Sequence, residues 1–150
     1  MKTMEYVIGI DIGGTFFRIG KVSRQRELFD FFTVSSQSLL DKQRPIEDLL
    51  TYLGEYIQMG TSGTLMGIAI GVPATVSKDH KTIYSDHNLG KFGRVNIADA
   101  VESHFQVPVF LDRDANYLQL RHGKSEFAQR LYNSRFLFRN RIRKCHLHCW

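Results

Sequence analysis

The sequence predicts an α/β fold in which helices pack against a mixed β-sheet. Two observations support this prediction. Three β-like segments come first, between residues 6 and 34, and helical and β-like segments alternate after them. Strands that follow one another directly pair as antiparallel neighbours, whereas strands joined through a helix pair in parallel. The 150 residues are enough for one such domain with a buried core.

The first two strands flank a pair of glycines. Apolar, β-branched and aromatic residues dominate positions 6–12 and 16–22, which is typical of strands with a buried face. Gly13 and Gly14 lie at the bend and indicate a hairpin turn, because both positions can take a positive φ without steric cost. The sequence therefore predicts a tight β-hairpin over Tyr6–Val22.

A third strand, a polar connection and a helix follow the hairpin. Residues 28–34 are β-like, and residues 35–44 form the connection. Pro45 suits the first turn of a helix, because its missing N–H needs no partner there. Apolar residues behind it recur with a 3.6-residue period, which predicts an amphipathic helix over Pro45–Gln58. Gly60 and the polar residues after it end this helix.

The next segments continue the alternation of strands and helices. Residues 65–72 are almost continuously apolar, as in a strand buried on both faces. Residues 73–88 contain two short β-like pieces around a Lys-Asp-His-Lys turn, which predicts a hairpin flap with a solvated tip. Asn96 is expected to cap a second helix. A short strand over 107–111 then leads through Asp112 to a third helical pattern.

Composition is that of a soluble globular protein, with 43% hydrophobic and 23% charged residues. No stretch approaches the ~20 apolar residues of a membrane span, so we expect no membrane partner. The N-terminal residues are interrupted by Glu5 and Asp11, unlike a signal peptide. Both cysteines lie near the C-terminus, which leaves no disulfide framework and suits a reducing compartment. We therefore expect a cytoplasmic protein.

The basicity of the chain is confined to its end. Residues 124–150 contain seven Lys or Arg and one Glu, a net charge of +6, so the residues before them carry −1 of the total of +5. Basic and aromatic residues mix there, but the pattern is weak and we expect no nucleic-acid partner. The His and Cys residues of Cys145–Cys149 stand too close together for a usual zinc site, so no metal site is predicted.

The residues around the glycine pair are suited to holding a phosphate. Asp11 precedes the bend, Gly13 and Gly14 have accessible backbone N–H groups, and Thr15 adds a hydroxyl. Backbone amides and a hydroxyl bind an anion, while a carboxylate positions a cation or its waters. A tight hairpin with a polar tip is the alternative interpretation of the same residues.

Two further groups of polar residues follow predicted strands. Asp114 lies between a buried strand and a helix, where open α/β sheets place their sites. It is a helix N-cap, a base that takes a proton from an alcohol during phosphoryl transfer, or both. Asp86, His87 and Asn88 in the flap supply donors and acceptors for sugar hydroxyls, and a solvated surface hairpin is the alternative interpretation.

Three stretches together resemble the ROK family of sugar kinases and sugar-responsive repressors. They are GIDIGGT at 9–15, GIAIGVPATV at 67–76 and DRDAN at 112–116. The similarity extends from about residue 6 to residue 123. The resemblance implies the actin-like, ribonuclease H-like ATPase fold, with ATP and Mg²⁺ as cofactors and a small sugar as substrate.

The resemblance also implies roles for residues on the nucleotide side of a cleft. Asp11 would organise the shell of Mg²⁺, while Gly13, Gly14 and Thr15 would approach the phosphates of ATP. These are the same four residues that the chemistry of the turn selects.

On the sugar side, the resemblance implies that Asp114 is the general base on the 6-hydroxyl and that Asn88 binds sugar hydroxyls. Asn116 would shape the start of the following helix beside the sugar. Arg113 is included among the sugar-binding residues, although it stands where the family usually has an asparagine that helps to hold the sugar. This departure bears directly on which sugar is bound.

Within the family, the stretches IGVPATVSKDHKTIYSDHNL and RDANYLQL look most like the subgroup that phosphorylates D-allose, including Ala74 where glycine is usual. We therefore expect an ATP-dependent hexose kinase acting on D-allose. A ROK-type sugar-responsive transcriptional regulator is the alternative, but those regulators carry a helix-turn-helix ahead of the phosphate motif, and Asp11 leaves no room for one. A non-catalytic sugar-binding module is the third interpretation.

The chain is expected to hold the N-terminal lobe of such a kinase over 1–123 and a basic tail over 124–150. The family's second lobe carries another phosphate motif, an adenosine pocket and a zinc site, and nothing after Gly123 resembles it. We hypothesise a truncated or frameshifted reading frame with an unstructured tail. A homodimer is expected only where the full-length lobe is present.

If the truncation hypothesis is right, the isolated chain lacks ATP binding of normal strength and does not turn over. A coupled kinase assay on the purified chain with ATP and D-allose should then show no phosphorylation above an enzyme-free sample. Robust ATP-dependent phosphorylation of D-allose would contradict the hypothesis.

Overall fold

The computed structural model describes residues 3–25, 27–40, 43–85 and 96–113. In chain order, the elements in these ranges are β1 (Glu5–Ile12), β2 (Phe16–Ser23), β3 (Leu28–Ser35), α1 (Gln37–Leu40), α2 (Pro45–Gln58), β4 (Thr64–Val72), β5 (Thr75–Val76), β6 (Ile83–Ser85), α3 (Ile97–Phe105) and β7 (Val109–Arg113). No helix in this described part is long and apolar enough to cross a bilayer.

Five strands form one mixed sheet in the order β3-β2-β1-β4-β7. β2 pairs antiparallel with both β1 and β3, whereas β4 pairs in parallel with both β1 and β7. The prediction of one sheet with both kinds of pairing is therefore confirmed. β5 and β6 pair with each other as a separate antiparallel hairpin, which is the predicted flap.

The two longer helices begin and end where local chemistry predicts. α2 starts at Pro45, and it ends before Gly60, whose φ of +67° favours glycine. The Asn96 side chain accepts a hydrogen bond from the Asp99 N–H at 3.0 Å, which caps α3 as predicted. α1 was not predicted, because a four-residue helix inside a polar connection is too short to show a helical period.

The main core lies between the sheet and the two longer helices. Alternate residues of the central strands contribute to this core, and Ile8, Ile10, Ile68 and Ile70 are almost fully buried in it. The buried apolar residues from the helices are Leu49, Leu53, Tyr56, Ile97, Ala98 and Val101. Each large apolar side chain removed from water contributes about 1.5–3 kcal/mol, so this one face is the main source of stability.

A fully buried lysine connects the end of α2 to β2 and β3. Lys21 Nζ donates hydrogen bonds to Met59 O at 2.5 Å and Thr61 O at 3.0 Å, and it lies 3.2 Å from Asp30 Oδ2. A charge taken out of water is costly unless it is paired and hydrogen-bonded. Lys21 meets both conditions, so it is compatible with the core and holds three segments together.

Asp30 completes this buried cluster. Its carboxylate accepts the Thr61 N–H at 2.8 Å, and its carbonyl accepts the Tyr56 hydroxyl at 2.7 Å. Burial acts to raise the pKa of Asp30, but the hydrogen bonds from Thr61 and Lys21 together outweigh it and lower that pKa below its usual value. The stabilisation is therefore present above the unfolded pKa of the carboxyl and is lost as pH falls through the lowered folded pKa.

Replacing the buried lysine should destabilise the fold. Lys21→Met keeps an unbranched apolar stem but leaves Asp30 without its cation, and removing one partner of a buried pair costs about 3 kcal/mol. Urea unfolding at neutral pH measures this loss in the free energy of unfolding.

The matched control is Arg24→Met. Arg24 pairs with Glu5 at 3.4 Å, but both side chains are substantially exposed, so its loss should change stability by less than about 1 kcal/mol. Equal stability of Lys21→Met and Arg24→Met would show that the fold tolerates the loss of the Asp30 cation without cost.

Candidate functional site

Parallel pairing brings the candidate residues to one edge of the sheet. The carboxyl ends of parallel strands meet at the same edge, where open α/β sheets bind ligands. Asp11 of β1 lies opposite Gly71 of β4, and Gly71 lies opposite Asp112 of β7. Arg18 of β2 lies on the other side of Asp11. These four residues form one row across four strands, on one face of the sheet.

Asp11 is held in place by an ion pair. Arg18 Nη1 donates to Asp11 Oδ2 at 3.0 Å, and the two side chains are 43% and 15% exposed. A pair this exposed contributes at most about 1 kcal/mol, so its main effect is to orient the carboxylate. Gly71 leaves room beside it, since a Cβ at that position would lie 3.9 Å from Asp11 Oδ1.

The two glycines of the turn do not use the positive φ that glycine permits. Gly13 is required for close packing instead: its N–H donates to Phe16 O at 2.9 Å, and a Cβ on Gly13 would lie only 2.9 Å from that oxygen. Gly14 faces open space, with no atom within 4 Å of its Cβ position.

A serine directly after β3 holds two carbonyl groups of this turn. Ser36 is fully buried; its Oγ donates to Gly13 O at 2.5 Å and its N–H donates to Thr15 O at 2.9 Å. Among the residues that the structure describes, neither Gly14 nor Thr15 donates its backbone N–H to another group. The turn thus has the carbonyls of Gly13 and Thr15 engaged and two N–H groups available for an anion.

The flap hairpin docks on β7 through its turn. His80, with a φ of +59°, accepts the Leu111 N–H at its carbonyl (3.2 Å), and its ring Nδ1 lies 2.9 Å from Leu111 O. The ring also stacks on Phe110, with centroids 4.5 Å apart. Lys81 pairs with Asp99 of α3 at 2.7 Å. The prediction of a solvated tip is therefore wrong for His80 and Lys81.

The structure brings together part of the predicted site. Asp11, Gly13, Gly14 and Thr15 lie at the edge of the sheet described above. Arg113 is exposed at the end of β7, next to Asp112, and strand alternation assigns it to the opposite face. The other predicted residues, Asn88, Asp114 and Asn116, lie outside the described residues, so their roles remain predictions.

Two residues of the site were not predicted. Arg18 follows from the hairpin register: once Gly14 and Thr15 form the tip, residue 18 must lie opposite Asp11. Ser36 carries no such signal, because it lies 23 positions from Gly13 in the chain.

Comparison with known proteins identifies the family. The sequence pattern of the ROK family matches residues 7–135. The chain belongs to the ROK family. A glucokinase of Halalkalibacterium halodurans is 26% identical over 121 residues, covering 77% of this chain and 35% of that protein. A xylose-repressor-like protein of Caldicellulosiruptor sp. strain Rt8B.4 is 33% identical over 124 residues, covering 77% and 29% respectively.

Solved structures of ROK proteins share the fold. A ROK family glucokinase from Streptomyces griseus, in complex with glucose and AMPPNP, aligns with a TM-score of 0.61 at 21% identity, over 75% of this chain and 34% of that one. The predicted actin-like ATPase fold is confirmed at this level. This ROK chain spans about a third of the length of the relatives it matches.

The two glycines of the turn should respond differently to alanine. Gly13→Ala places a Cβ against the Phe16 carbonyl and should reduce the free energy of unfolding by about 1–3 kcal/mol, as overpacking does. Gly14→Ala meets no atom, and its φ suits alanine, so stability should be unchanged or slightly higher. Thermal unfolding of both variants tests this, and a Gly14→Ala variant less stable than Gly13→Ala would contradict the turn geometry.

Proposed function

We propose that this ROK chain is part of an ATP-dependent hexose kinase that transfers a phosphoryl group to the 6-hydroxyl of D-allose. The observation that carries the proposal is the edge of the sheet. There, Asp11 and a turn with two available N–H groups lie in register with the end of β7, directly before Asp114 in the chain. A phosphate-binding turn after β1 and a candidate base after β7 thus follow the ends of parallel strands that are separated only by β4.

The turn supports binding of the ATP phosphates. The N–H groups of Gly14 and Thr15 provide the donors for an anion, and the open space at Gly14 lets a phosphate approach the backbone. Within the described ranges, no group of three or more His, Cys, Asp or Glu residues is arranged to hold a metal. In the proposed site, Mg²⁺ would be held by one carboxylate, Asp11, through waters and phosphates.

The sugar side is proposed from the family pattern. Asp114 would take the proton of the 6-hydroxyl while that oxygen attacks the γ-phosphorus and ADP leaves. Asn88 and Arg113 would bind the other hydroxyls, with Asn116 shaping the helix start. The preference for D-allose is supported by the resemblance of residues 70–89, which include the flap, to the subgroup acting on that sugar.

A sugar-responsive repressor is the second candidate function. It is favoured by the 33% identity to a xylose-repressor-like protein. A repressor needs the sugar site but no phosphoryl transfer, so its ligand selectivity and its indifference to Asp114 distinguish it from a kinase. Sugar binding without nucleotide binding would also describe a non-catalytic sugar-binding module.

The proposed division of the chain follows from the same assignment. Residues 1–123 would supply the N-terminal lobe of the kinase, and residues 124–150 a basic tail. This lobe would contact only one side of the nucleotide, so a second lobe would be needed for full ATP affinity. The proposed protein is cytoplasmic, and its partner is the sugar.

Sugar titrations of the purified chain test the proposal. D-Allose should bind more tightly than D-glucose, which differs from it only at C3, and more tightly than D-xylose, which lacks C6. Arg113→Ala should weaken D-allose binding at least about tenfold, because a hydrogen bond from a charged group is worth about 1.5–3 kcal/mol. Isothermal titration calorimetry gives each dissociation constant.

Asp114→Ala tests the proposed base, and Lys78→Ala is the control. The base is needed for proton removal rather than for holding the sugar, so Asp114→Ala should keep D-allose affinity within about twofold and, in a chain completed by the second lobe, should abolish phosphoryl transfer. Lys78 is exposed on the flap turn, and its loss should change nothing. Tightest binding of D-xylose would favour the repressor, and no binding of any hexose would overturn the kinase assignment.

A further inference from the structure

We propose that Ser36 is a positioning residue that sets the orientation of the Gly13–Gly14 peptide, and so presents the Gly14 N–H to a phosphate. The inference rests on the proposed function for the identity of the anion. Ser36 lies outside the turn motif, directly after the end of β3.

The contacts of Ser36 are directed at the turn. Its side chain is fully buried, and both its hydroxyl and its backbone N–H donate to carbonyls of the turn, at Gly13 and Thr15. One residue therefore satisfies two carbonyls on either side of the tip.

The geometry of the peptide unit transmits this contact to the ligand side. The C=O of Gly13 and the N–H of Gly14 belong to one planar trans peptide, so they point in opposite directions. When Ser36 Oγ holds the Gly13 oxygen, the Gly14 N–H is directed away from the serine. That N–H is one of the two turn donors left available, and the space beside Gly14 is open.

Flanking glycines make this control necessary. Glycine adopts both signs of φ at little cost, so a peptide between Gly13 and Gly14 has a low barrier to rotation by half a turn. That rotation would present a carbonyl, which repels a phosphate, where the N–H now lies. The Ser36 hydroxyl selects one of the two orientations.

The experiment uses ¹⁵N-labelled full chain and inorganic pyrophosphate as the probe. In the free wild-type chain, the Gly14 amide signal should show no exchange broadening. When pyrophosphate is added, the Gly14 and Thr15 amide signals should shift. Ser36→Ala should broaden or displace the Gly14 signal of the free chain and weaken pyrophosphate binding at least about fivefold. Loss of one neutral hydrogen bond, about 1 kcal/mol, corresponds to that factor.

Ser38→Ala is the matched control. The Ser38 hydroxyl also donates to a backbone carbonyl, that of Ser35 at 2.6 Å, but it is exposed and does not contact the turn. Its removal should leave the Gly14 signal and the affinity for pyrophosphate unchanged. Ser36→Cys retains a weaker donor of similar size and should give an intermediate result, which also provides a test if Ser36→Ala does not fold.

The outcomes separate this inference from the proposed function. If the Gly14 signal of Ser36→Ala is indistinguishable from that of the wild-type chain, the role of Ser36 is overturned, whatever binds. If Ser36→Ala does not fold, the Gly14 signal of Ser36→Cys decides in the same way. A wild-type chain whose turn amides ignore pyrophosphate would count against the phosphate site, while the free-chain signals still decide whether Ser36 sets the peptide. Equal weakening by Ser38→Ala would show a general loss of stability instead.

Discussion

Parallel pairing of β4 with both β1 and β7 is the constraint on which the site depends. A parallel pair needs a crossover, and helices α2 and α3 belong to the two crossovers and pack on the same core face. The ends of β1 and β7 therefore meet at one edge, with only β4 between them. Because the core uses Ile10 and Ile12, the residue between them, Asp11, must lie on the other face.

Much of this fold could be predicted because its signals are local. The period of the apolar residues defined α2 from Pro45 to Gln58, and Asn96 marked the start of α3, as the structure shows. Long-range contacts were not predictable in the same way. Lys21 is buried among carbonyls nearly 40 positions away, and sequence pattern alone gives no indication of a cation in the core.

The candidate site shows the same difference between local signals, which could be predicted, and long-range contacts, which could not. The chemistry of Asp11 to Thr15 was readable because those residues are adjacent, but the conformation of the turn was not, since a distant serine holds its carbonyls. Gly13 is required because a Cβ there would clash with the Phe16 carbonyl, whereas Gly14 leaves the backbone open to a ligand. A motif read from sequence thus identifies the donors of a site more reliably than the arrangement that makes them available.

The two outer strands of the sheet, β3 and β7, differ in how far they are exposed to solvent. At β7, the docked turn of the flap covers part of the outer edge, since His80 accepts the Leu111 N–H. At β3, no strand within the described residues pairs with the outer edge, and Phe32 is 42% exposed there. Open strand edges are the usual templates for β-sheet growth between molecules. Among the described strands, β3 is therefore the one at which edge-to-edge association between molecules is expected to begin, and charged substitutions on β3 are the direct means of limiting it.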